Sequence, residues 1–148
     1  MTNSPIKTKV IKLLIELLFI FVIACVTFPV VFKAPFLPNG YTIQSQQKNH
    51  VIIHSYNIVG FEKGVKTIVL PNSNAWKIQE IHNEVQRQKQ YFWLLYTAVI
   101  VSLTHLVLRL RKREGVFRAF FGSNIIFAVA IPLPEIIDSI KWIHMLIS

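Results

Sequence analysis

The string "YFWLLYTAVIVSLTHLVL", residues 91–108, followed directly by "RLRKREGVFR", residues 109–118, decides how this chain folds. The first string has eighteen residues without Asp, Glu, Lys or Arg, and it opens on three aromatic side chains of the kind that gather where a bilayer meets water. Eighteen helical residues at about 1.5 Å each cover about 27 Å, close to the thickness of a hydrocarbon core. The second string sets five cations and one acid against the end of the first. Charges of that density are too costly to place in lipid, so residues 91–108 read as a transmembrane helix and residues 109–118 as a loop outside it.

Working outward, residues 119–137 form a further apolar run, uncharged for sixteen residues as far as Pro134 and extendable through Ile136 and Ile137. Toward the N-terminus, residues 13–32, "LLIELLFIFVIACVTFPVVF", give a third run of twenty residues, interrupted by Glu16. The composition agrees: 53% of the residues are hydrophobic and the mean hydropathy is +0.47. The net charge of +9 sits at the borders of apolar runs. That placement is a topology signal, and with no aromatic-basic stacking pattern or groove-reading motif it argues against nucleic acid as a partner. The expected fold is therefore a mainly α-helical membrane protein with three transmembrane helices.

Orientation follows from the short basic flanks. Lys7, Lys9 and Lys12 precede the first run, and Arg109, Arg111, Lys112, Arg113 and Arg118 lie between the second and third. Both flanks belong on the cytoplasmic side, where they meet anionic headgroups. Residues 1–12 and 109–118 are thus expected inside, and residues 33–90 and 138–148 outside. The Ile, Lys and Phe content, the short loops and the single cysteine point to a bacterial plasma membrane.

Within residues 33–90, "HVIIHSYNIVGFEKGVKTIVLP" offers two strand-like runs joined by a Gly-bounded turn, and "YTIQ" a possible third strand. The pattern then changes. Ile78, Ile81 and Val85 make an apolar stripe at helical spacing, Ser73 or Asn74 is placed to cap, and no Gly or Pro follows before the second apolar run. One long helix over residues 74–113 is predicted, a stalk whose stripe faces either the hairpin or a partner. The tail at 138–148 reads as interfacial, with Ile140, Ile143 and Ile147 near one face and Trp142 suited to the headgroup layer.

Polar groups inside apolar runs are functional candidates by default. Glu16 lies four residues after Lys12 and His105 four before Arg109, on helices of opposite direction, so the two are expected at similar depth. Ser102, Ser123 and Asn124 fall near the same layer. Glu16, Ser102, His105 and Asn124 could relay a proton or bind a cation; equally, they could hydrogen-bond helices together, with Glu16 pairing with Lys12. Cys25 ends "VIAC", similar to a bacterial lipoprotein lipobox, but Glu16 cuts the apolar stretch before it and "VTFPVVF" continues it afterward, so the cysteine is expected to stay unmodified in a retained helix. His50 and His54 share a face of an extended strand and His82 could approach them from the helix, but the two sit about 13 Å apart, too far to share an ion without a bulge, so solvated or interfacial histidines are expected.

No nucleophile elbow, phosphate loop or zinc-protease motif positions the Ser, His and acidic residues, and no cofactor is implied. The expectation is a non-enzymatic accessory, binding or regulatory subunit of a membrane complex, with membrane lipids and a membrane-protein partner or a second copy as its company. The alternatives are a small oligomeric transport or proton-coupled protein working through Glu16 and His105, and a toxin-immunity or pore-type protein.

Overall fold

The computed structural model describes residues 5–47, 50–69 and 75–148. The element order is α1 (Pro5–Phe32), β1 (Tyr41–Gln47), β2 (His50–Tyr56), β3 (Glu62–Val69), α2 (Ala75–Arg111), α3 (Val116–Gly122), α4 (Ile125–Ala130) and α5 (Pro132–Ile147). The chain is mostly helical, and the strands form one antiparallel sheet in the order β1-β2-β3. α1 and α2 are long and apolar enough to cross a membrane; α3 and the stretch Ile125–Ile147, which holds α4 and α5, pass the same test only as a pair bent by 43°.

α2 is one unbroken helix of 37 residues, about 55 Å long. Its continuity reflects the absence of Gly and Pro between Ala75 and Arg111. It stops where Arg113 turns left-handed at φ 60°, and the Arg113 and Glu114 amides bond back to the carbonyls of Leu110 and Arg109. The predicted caps, Ser73 and Asn74, lie outside the described residues.

The last apolar run departs from the single helix expected over residues 119–137. It breaks at Ser123 and Asn124, where Asn124 adopts φ 60° and the Ser123 hydroxyl donates to the Phe120 carbonyl at 2.7 Å. The Ser123 hydroxyl thus competes with the helix for a backbone carbonyl, and Asn124 tolerates the left-handed conformation that ends it. No boundary appears at residues 137–138 either. α5 starts at Pro132, a favoured first-turn residue, and runs through the expected tail along the first half of α2. The reason is packing: Ile143 is fully buried against Ile81 and its neighbours rather than lying on a surface.

Two cores hold the elements together. In the outer one, Ile78, Ile81 and Val85 of α2 pack with Val51 and Ile53 of β2 and with Ile143 of α5. Of the two expected mates for the stripe, the hairpin or a partner, the chain supplies the hairpin and adds α5: Ile81 is 0% exposed beneath the chain's own sheet and last helix. Each such side chain removed from water contributes about 1.5–3 kcal/mol. In the second core, at the foot of the sheet, Val31 and Leu37 meet Phe92 and Ile136, ringed by Phe32, Tyr56, Tyr91 and Trp93. α1 joins α2 along a narrow seam where the Thr27 and Thr97 hydroxyls meet at 2.7 Å and the Trp93 indole donates to the Ala24 carbonyl at 2.9 Å. Cys25 lies in the uninterrupted α1 with an exposed side chain.

Candidate functional site

At the end of the α1–α2 pair away from the sheet, the two helices and the α3–α4 break border an open cavity of about 640 Å³. Its walls combine Lys12, Glu16, Arg109 and Lys112 with Thr104, His105 and Asn124, over an apolar floor that includes Ile15, Phe19 and Leu108. α1 and α2 run antiparallel, so Glu16, near the start of one, reaches His105, near the end of the other. Glu16 Oε1 lies 3.6 Å from His105 Nε2, beyond hydrogen-bond length but within ion-pair range when the imidazole carries a proton.

The structure brings Glu16, His105 and Asn124 into one cavity, as their depths predict. Ser102 is buried on α2 but is not part of the wall. Arg109 and Lys112 belong to the wall, whereas Arg111, Arg113 and Arg118 are exposed outside it. Arg109 is fixed from two sides. Its Nη1 lies 3.1 Å from Glu114 Oε2, and its guanidinium crosses Gly122 so closely that a side chain there would collide with it. Neither Lys12 nor Lys112 has an ion-pair partner among the described residues. Counting Glu16 and Glu114 against Lys12, Arg109 and Lys112 leaves the cavity net cationic, with an apolar floor.

The other candidates stay apart. His54 Nε2 donates to Gln44 Oε1 at 2.7 Å and its Nδ1 faces Glu62 at 3.2 Å, rather than meeting His50 or His82. Among the described residues no three His, Cys, Asp or Glu side chains gather as a metal site. A second polar cavity, about 400 Å³, lies on the sheet-side half of α2 between Glu80, Glu84, Arg87, Asp138, Ser139 and Trp142. Arg87 bridges it, holding Glu84 at 3.4 Å and Glu135 of α5 at 2.6 Å. The buried Glu84 Oε2 and Ser139 Oγ in its wall have no hydrogen-bond partner among the described residues. The sequence reading did not single out Glu84. The missed signal is its place three residues after Ile81, on the flank of the stripe that α5 covers.

Comparison with known proteins adds no family to this geometry: no family model, no curated protein and no solved structure matches the chain.

Proposed function

We propose that this chain is a non-enzymatic, multi-pass subunit of a bacterial plasma membrane that works by binding, as an accessory or regulatory element beside a membrane-protein partner or a second copy. In this reading α3, α4 and the first turns of α5 together complete a bent third crossing. Residues 1–12 and 109–118 face the cytoplasm, and the sheet with the last helix stands outside. The cavity takes the phosphate of an anionic amphiphile, its headgroup between Lys12, Arg109 and Lys112 and its apolar part on Ile15, Phe19 and Leu108.

The observation that carries the reading is the pairing state of the cations. Three positive groups converge on one cavity, and the two lysines among them lack a counter-ion among the described residues. Like charges gathered beside an apolar wall repel unless an anion joins them. Native mass spectrometry of the purified protein with added phosphatidylglycerol tests this. The expected result is retention of the lipid by the parent protein and its loss from a Lys12→Ala/Lys112→Ala variant; equal retention by both overturns the cavity as the binding site. Inorganic phosphate in place of lipid distinguishes a soluble anion from a headgroup.

One observation favours a second reading, proton-coupled transport: the Glu16–His105 pair stands inside the same cavity. In proteoliposomes carrying a pH gradient, proton flux that Glu16→Gln abolishes would replace the binding reading with this one.

A further inference from the structure

The turn between β2 and β3 exposes three large apolar side chains in a row of four: Ile58 at 74%, Val59 at 55% and Phe61 at 69%. Exposure alone would not name what covers them. Their height does. The sheet runs along the stalk, with Val51 beside Ile78 and Ile81 at the far end and Tyr56 beside Val31, Phe32 and Phe92 at the near end. The strand direction therefore carries the β2–β3 turn toward the apolar helices rather than away from them.

Two contacts fix the level more closely. Gly60, at φ +84°, lies against the Phe36 ring, where even an added Cβ would come within 2.7 Å of a ring carbon. The Phe36 carbonyl in turn accepts a hydrogen bond from the Tyr96 hydroxyl at 2.9 Å. Phe36 follows α1 by four residues, and Tyr96 lies one turn inside the "YFW" cluster. Below the turn, an apolar groove of about 300 Å³ opens between Val26, Val30, Phe36, Tyr96, Val99 and Ile100. The turn thus stands where the two long apolar helices meet their aromatic ends.

The turn's backbone also suits a dry setting. Asn57 Oδ1 accepts from the amides of Val59 at 2.9 Å and Phe61 at 3.0 Å, and the Asn57 carbonyl accepts from Gly60 at 2.9 Å. Three consecutive N–H groups are satisfied without water, the condition for irregular backbone to approach hydrocarbon. Lys33 at the end of α1 and Lys63 just after the turn are exposed cations placed to meet lipid phosphates.

We propose that Ile58, Val59 and Phe61 form a wedge that enters the headgroup–acyl boundary of the leaflet on the sheet side, with a lipid chain in the groove beneath it. The wedge is a second attachment to the same membrane, so it sets the tilt and height of the outer unit rather than recruiting it. The proposal rests on the membrane reading of α1 and α2, but not on the basic-end cavity.

Nitroxide labels at single cysteines in a Cys25→Ser background, in phosphatidylcholine–phosphatidylglycerol nanodiscs, test it. Ile58→Cys and Val59→Cys report the wedge. Val69→Cys, exposed at the far end of the sheet and paired there with His50, reports the aqueous side. Leu18→Cys reports α1. The expected result is an oxygen-to-nickel-chelate collision ratio several-fold higher at 58 and 59 than at 69. Nickel accessibility at 58 and 59 equal to that at 69 places the turn in water and overturns the wedge. Protection of 58 and 59 from both reagents means that protein covers them and also overturns it. A Leu18 label open to nickel fails the membrane reading itself, which separates that failure from failure of the wedge alone.

Discussion

Gln88 and Tyr41 are tied twice, by the Tyr41 amide donating to Gln88 Oε1 at 3.1 Å and by Gln88 Nε2 donating to the Tyr41 carbonyl at 3.4 Å. A helix side chain thereby supplies the backbone pairing that the free edge of β1 would otherwise seek, and Gln88 is fully buried in doing so. Gln88→Ala removes both bonds and leaves a void. The expected loss in docking of the sheet is about 2–4 kcal/mol. Amide exchange at residues 41–46 and 50–56 checks it, and unchanged protection would show that the clamp contributes nothing. Burial also raises the pKa of the Tyr41 phenol. The folded state keeps a proton that the unfolded chain gives up near pH 10, so the sheet is expected to loosen as pH rises past about 10.

Ile81→Asp sets an unpaired carboxylate among Val51, Ile53 and Ile143. A cost of about 4 kcal/mol or more is expected for the outer unit, the range reserved for buried unpaired charge. Insertion should persist, since α1 and residues 91–108 are untouched. Protease sensitivity of the sheet, together with retention in carbonate-washed membranes, reads both halves of the expectation.

Gly60→Ala and Gly64→Ala should differ sharply. The first forces a side chain into left-handed backbone and against Phe36, with an expected cost of about 1–3 kcal/mol. The second meets only Ser55 Oγ at 3.9 Å, and its effect should stay within about 1 kcal/mol. Exchange of the Val59 and Phe61 amides, whose protection depends on the Asn57 turn, is the measurement that ranks the two variants.

Orientation is expected to follow the basic flanks. With single cysteines in a Cys25→Ser background, an impermeant reagent should label position 69, exposed at the far end of the sheet, in intact cells and position 114 only after permeabilisation. The opposite pattern reverses the topology.

The long-range signals in the sequence were strong where one physical cause dominated. Residues 91–108 had to be an apolar helix because nothing in them interrupts the run, and the absence of breakers carried α2 back to Ala75. Similar depth alone placed Glu16 beside His105. The stripe at Ile78, Ile81 and Val85 was legible as buried, but its mate was not. Residues 138–148 were read as an interfacial tail because Ile140, Ile143 and Ile147 share one face, and nothing local announces that their helix starts at Pro132 or that Arg87 lies 2.6 Å from Glu135. The break at Asn124 was hidden for a related reason: one left-handed residue decides it, and an apolar run still reads as one segment through it.

α2 joins the two ends of the molecule without a joint, and that makes it a torsion shaft. His105 and Gln88 are seventeen residues apart on it, about 25 Å along the axis. Side-chain tips stand about 5 Å from a helix axis, so a rotation of about 20° at one end sweeps the other by about 1.7 Å. That arc is more than enough to part a hydrogen bond of 3.1 Å such as the one between Gln88 and the Tyr41 amide. A rotation of the helix at the cationic cavity would therefore reach the contact that seats the sheet, because α2 has no Gly or Pro between His105 and Gln88 to absorb it.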